Sequence, residues 1–119
     1  MANAGIVYKI LTAAQWEEAL RLGHYAGSAD DERDGFIHLS ARDQLAGTAA
    51  KHFKGKAGLV LVSLDSSRLG DGLVWEPSRG GALFPHLYTP LDVTAALDVT
   101  AMPLGEDGVP VLPTEFYGC

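Results

Sequence analysis

Residues 59–65, "LVLVSLD", put apolar side chains at five of seven consecutive positions, and four of these come without interruption. Successive residues of a strand point to opposite faces, so a strand this continuously apolar must be covered on both sides. With 119 residues there is room for one core and one domain, 1–119, so both covering layers must come from the same short chain.

The rest of the sequence offers the material for those layers. "IVYKIL" at 6–11 is β-branched and aromatic enough to predict a strand. Thr12 and Gln15 have capping-box spacing, Leu11 and Trp16 are placed as a hydrophobic staple, and Gly23 supplies a stop. The spacing therefore predicts a helix over 13–22 with Ala13, Trp16, Ala19 and Leu20 inward. "HYAGSADDERDG" lacks apolar periodicity and is expected to be a surface loop. A short strand at 36–39 leads to Ser40 as the cap of a second helix over 41–53, with Leu45, Ala49 and Phe53 on one face. Beyond 65, "LVWE" at 73–76 is expected to be a strand and "PSRGGALFPHLYTP" an irregular crossing. "LDVTAALDV" alternates, with Leu91, Val93, Ala95, Leu97 and Val99 toward the core, and Asp107-Gly108 signals a turn in a last hairpin. Two early helices followed mainly by strands predict an α+β domain.

Charge narrows the function classes. Nine Lys and Arg against fifteen Asp and Glu give a net charge of -6, with the cations scattered along the chain, which disfavours nucleic-acid binding but not a small anionic ligand. No apolar run is long enough for a membrane helix, and the N-terminus lacks a basic segment followed by an apolar stretch, so a cytoplasmic location is expected. The single cysteine, Cys119, can form neither an intrachain disulfide nor a cysteine-based zinc site. No G-x-G-x-x-G, G-K-[ST] or G-x-S-x-G pattern is present.

Chemistry-bearing residues gather in two places. In "DGFIHLS", an extended backbone turns Ile37 and Leu39 to one side and Phe36, His38 and Ser40 to the other, next to the start of a helix whose free N–H groups suit a ribose or phosphate. The plainer alternative is that Ser40 caps and His38 bonds only to backbone. In "VWEPSRGGALFPHLY", Trp75 offers a stacking surface, Glu76 a carboxylate, Arg79 a planar cation, and Gly80-Gly81 a backbone open to close approach, while Phe84, His86 and Tyr88 would share a side. The alternative there is a connecting segment plugged by its aromatics. A metal site built on His38, His86 and Glu76 is a competing arrangement, although no His-x-His, His-x₃-His or H-E-x-x-H spacing supports it.

The segments "YKI", Trp16 in its helix, "DGFIHLS", "TAAKHF", "LVLVSLD" and above all "WEPSRGGALFPHLY" resemble the bacterial family catalogued as domain of unknown function 952. The resemblance covers about residues 6–99 and leaves 100–119 as a C-terminal extension. That family is similar in fold to ADP-ribosyltransferases, which hold NAD in a cleft of a split, mainly antiparallel sheet. The resemblance implies His38 at the NAD ribose, Trp75 or Tyr88 on the nicotinamide, Glu76 as the carboxylate, and Arg79 with the second helix's N-terminus at the diphosphate. Ser40, Gly80, Gly81 and His86 complete the expected pocket, with no metal and with NAD as a substrate. Three functions follow as expectations: ADP-ribosyl transfer or NAD cleavage with catalytic His38 and Glu76, a non-catalytic small-ligand or protein-binding module using the same pocket, and a hydrolase or metal site on His38 and His86.

Overall fold

A computed structural model of the chain describes residues 5–78 and 81–116. The apolar run forms strand β4 (Leu59–Asp65), which lies between β1 (Ile6–Thr12) and β8 (Ala96–Met102) in an antiparallel sheet of order β1-β4-β8. Its two faces feed two separate cores. Val62 and Leu64 join Val7 and Leu11 beneath helix α1 (Ala13–Leu22), whereas Leu59 and Leu61 join Tyr8 and Ile10 beneath helix α3 (Leu45–His52). The double cover demanded by "LVLVSLD" is thus one helix on each side.

A second antiparallel sheet has the order β3-β6-β5, from β3 (Ile37–His38), β5 (Leu73–Pro77) and β6 (Leu83–Leu87). The two sheets meet at one bridge, in which Tyr8 N–H donates to Ser40 O and Ser40 N–H to Tyr8 O, both at 2.9 Å. A two-stranded ribbon of β2 (His24–Tyr25) and β7 (Leu91–Asp92) closes one side. The result is a single α+β domain with antiparallel sheets. No described helix is long and apolar enough to cross a membrane.

Helix α1 has the expected limits. Thr12 Oγ1 accepts from Gln15 N–H at 3.0 Å, Gln15 Oε1 accepts from Thr12 N–H at 2.9 Å, and Gly23 ends the helix at φ +89°. Its buried stripe is narrower than expected: Trp16 and Ala19 are inward and Leu20 is exposed. Thr12→Ala removes one partner of this cap and is expected to lower stability by about 1 kcal/mol in urea denaturation.

Four expectations are corrected. "HYAGSADDERDG" is not a loop: it holds β2 and a third early helix, α2 (Ala29–Asp34), opened by a reciprocal Ser28/Asp31 cap and closed by Gly35 at φ +88°. Only Asp31 of that helix is buried, so there was no apolar stripe to find. The next helix begins at Leu45 after a 3₁₀ turn over Arg42–Gln44, and Ser40 does not cap it, because its backbone is in the bridge and its Oγ lies 3.1 Å from Thr48 Oγ1. The strand expected at 73–76 is present as Leu73–Pro77, but Leu83–Leu87, expected within an irregular crossing, is a strand that pairs with it as a β-hairpin. Finally, the run 91–99 breaks at a 3₁₀ turn over Val93–Ala95, where Asp92 Oδ1 accepts from Thr94 N–H at 2.9 Å. After the break β8 is an outer strand with one neighbour, which leaves Leu97 and Val99 exposed. In the tail, Asp107-Gly108 does make its turn, closed by a single Leu104–Pro110 bridge.

Candidate functional site

The pairing of β3 with β6 sets His38 directly opposite His86, with ring centroids 5.9 Å apart. Phe36 stacks on His86 at 3.9 Å and lies 4.7 Å from the His38 ring. Ile37, Leu39 and Leu87 point the other way into the core. Alternation thus aims Phe36 and His38 to one side, as the sequence implies.

His38 is gripped from several directions. Its Nδ1 lies 2.6 Å from Asp31 Oδ1, its backbone N–H donates to the same oxygen at 3.0 Å, and its Nε2 lies 2.9 Å from Asp34 Oδ2. Lys9 Nζ donates to Asp31 Oδ2 at 3.1 Å and to the His38 carbonyl at 2.9 Å. Asp31 and Lys9 are almost fully enclosed, with side chains 2% and 8% exposed, whereas His38 is 39% exposed. Burial acts to raise the Asp31 carboxyl pKa, but the His38 bond, the Lys9 charge and the N–H groups of Ser28 and His38 outweigh it and hold the group well below the usual carboxylate range. Burial pushes the Lys9 ammonium down while Asp31 opposes that shift.

His86 has its own carboxylate. Glu76 Oε1 lies 2.7 Å from His86 Nδ1 and accepts from Tyr88 O–H at 2.7 Å. The Tyr88 hydroxyl first, and then His86, holds the Glu76 carboxyl below its ordinary range. The hairpin register explains the arrangement: Glu76 is opposite Phe84 and Val74 opposite His86, all on one face. Trp75, opposite Pro85, is on the other face, half-exposed. It is therefore not beside His38 and His86.

His38 and His86 border a cleft of about 620 Å³ at the seam between the sheets, a size ordinary for a small-molecule site. His38, Ser40, Phe84 and His86 line it, as do Lys9, Asp31 and Asp34. Gln44, Gly47, Thr48, Lys51 and His52 line the opposite wall at the i, i+3, i+4, i+7, i+8 spacing of one helix face. Trp75, Glu76, Gly81 and Tyr88 are not among the lining residues, and Glu76 reaches the cleft only through the His86 ring it holds. Gly81, at φ +84°, serves the hairpin turn, where its N–H donates to Ser78 O. Arg79 and Gly80 lie outside the described residues, as does Cys119.

Among the described residues no three His, Cys, Asp or Glu side chains are disposed to hold a metal ion, and both His38 ring nitrogens already face carboxylates. Sequence reasoning missed Lys9, Tyr25, Asp31 and Asp34. The signals were present: Lys9 is the one charge in an apolar strand, and Ser28-x-x-Asp31 has capping-box spacing. Tyr25 lines the cleft, its buried hydroxyl has no hydrogen-bond partner among the described residues, and burial, with the Asp31 charge, pushes its pKa up.

The crystal structure of protein CC0527 from Caulobacter crescentus is 49% identical to this chain, covers 94% of it over 98% of its own length, and superposes with a TM-score of 0.90. The solution NMR structure of CC0527 gives 50% identity, 92% and 95% coverage, and a TM-score of 0.81. No curated protein matches the chain. The family model described as protein of unknown function (DUF952) matches residues 10–99, most of the 119, and the chain belongs to that family.

Proposed function

We propose that the cleft binds an NAD- or ADP-ribose-type nucleotide on an ADP-ribosyltransferase-like split sheet, and that its reaction is ADP-ribosyl transfer or NAD cleavage. The observation that carries this reading is the meeting of two carboxylate-held histidines, His38 on Asp31 and His86 on Glu76, at the seam where the sheets part. In the reaction the C–N bond between ribose and nicotinamide breaks, and nicotinamide leaves with the bonding electrons. The positive charge that develops on the ribose is offset by fixed negative groups. Water or an acceptor nucleophile then forms the new bond to the ribose carbon and gives up its proton. His38 orients a ribose hydroxyl, and the ionised Glu76 acts on the cleft through His86 rather than by direct contact.

A second reading, a non-catalytic binding module, is favoured by one observation: both ring nitrogens of His38 are engaged by carboxylates, so neither is turned to a substrate for proton transfer.

Both readings require an occupied cleft, and Gly47 tests this. A Cβ at Gly47 would meet no heavy atom within 4 Å, so Gly47→Trp would fill the cleft without disturbing the helix that carries it. ADP-ribose and NAD at millimolar concentration are expected to raise the melting temperature of the native chain by mass action and to leave Gly47→Trp unaffected. No response from the native chain would sink the nucleotide reading. Chromatographic detection of nicotinamide separates turnover from binding alone.

A further inference from the structure

The chain's cations are not distributed evenly with respect to their partners. Lys9 pairs with Asp31, Arg21 with Glu18, Arg33 with Asp30 and Asp34, and Arg68 with Asp65, while Arg42 lies over the Phe116 ring at 4.3 Å. Lys51, Lys54 and Lys56 are different: among the described residues none has an ion-pair partner, although the chain carries fifteen acids, and Lys56 lies over the Phe53 ring at 5.5 Å, a contact that leaves its charge uncompensated. Two of these three, Lys51 and Lys56, line the same cleft as His38 and His86. Cations that look scattered in the sequence thus leave their unmatched charge on one rim of the cleft.

The remainder of that wall gives the cleft a direction. Asp30, Asp31 and Asp34 stand on the α2 side, where His38 is held. Thr48 of α3 touches Ser40, two residues beyond His38, and Lys51 follows one helical turn later. Helix rise and strand rise together place Lys51 on the order of 10 Å from His38, within the length of a nucleoside diphosphate. The helix C-terminus is itself a partial negative charge of about half a unit, which explains a cation at Lys51 but offsets only part of two ammonium charges. Lys56 lies beyond the helix, after Gly55, where that explanation does not extend.

We infer that Lys51 and Lys56 form the phosphate-binding end of the cleft, so that a phosphate-bearing small molecule lies with its anionic end at α3 and its sugar end at His38 and His86. This deepens the nucleotide reading and rests on it for the sugar end alone.

The test is calorimetric titration of the native chain and of Lys51→Gln/Lys56→Gln with inorganic pyrophosphate, ADP-ribose and adenosine. Both lysines are exposed, so the double variant is expected to keep the native melting temperature. Loss of two charge-assisted contacts is expected to weaken pyrophosphate and ADP-ribose by about tenfold or more, to leave adenosine unchanged, and to flatten the salt dependence of the phosphate ligands. Equal ADP-ribose affinity in both proteins would overturn the subsite while leaving the nucleotide reading standing. Pyrophosphate binding that depends on the lysines, with ADP-ribose no tighter than pyrophosphate, would support the subsite and overturn the nucleotide reading. No binding of either phosphate ligand to the native chain would overturn both.

Discussion

Asp31→Ala is expected to remove about 3–5 kcal/mol of stability, the usual cost of leaving a buried charge without its partner. The loss falls on more than Lys9. The same carboxylate accepts from Ser28 N–H at 2.9 Å and from His38 N–H at 3.0 Å, so its removal leaves an enclosed ammonium and strips two backbone donors. Asp31→Asn in a Lys9→Met background is expected to recover much of the loss, because the amide oxygen can still accept from those donors and no ammonium remains to be paired. Urea denaturation of the native chain and these two variants gives the comparison. Equal stability of Asp31→Ala and the native chain would show that the network carries no energy. The pH dependence follows in sign: the folded carboxyl has a lower pKa than the unfolded one, so its contribution is full above about pH 5 and is lost as pH falls below about 4. Asp31→Asn should flatten that acid limb.

His38→Ala is expected to separate chemistry from folding. If the cleft turns over NAD, loss of the ring that orients the ribose hydroxyl should lower nicotinamide release by about 100-fold, the scale of a lost positioning contact. The melting temperature should change little, since the side chain is partly exposed and Asp31 keeps Lys9, Ser28 N–H and the backbone of residue 38. Asp34→Ala opens Nε2 of His38 to the cleft and is expected to maintain or raise the rate. Equal nicotinamide release by native protein and His38→Ala would remove the histidine from the reaction.

What was legible in the sequence follows what each element buries. "LVLVSLD" could be read because a strand covered on both faces has few polar positions to disguise it, and α1 because its cap and its glycine stop are local. The orientation of His38 against Ile37 and Leu39 was legible for the same reason, since strand alternation needs no tertiary knowledge. The second strand of the hairpin was hidden by Pro85, which sits in β6, the central strand of its sheet. Proline there removes a ladder donor and argues against a strand. Helix α2 was hidden because its one inward residue is an aspartate. That also hid half of the candidate site, since Asp31 and Asp34 reach His38 from this helix.

Helix α2 has a further consequence for the cleft it borders. Of its six residues only Asp31 is buried, and glycines at positive φ, Gly27 and Gly35, stand on either side of it. Its attachment is ionic, whereas the sheets and the other two helices are held by apolar cores. Acid, which protonates that carboxylate, therefore acts on this wall before it acts on the body of the domain, and the cleft can widen locally at a free-energy cost set by one carboxylate rather than by global unfolding.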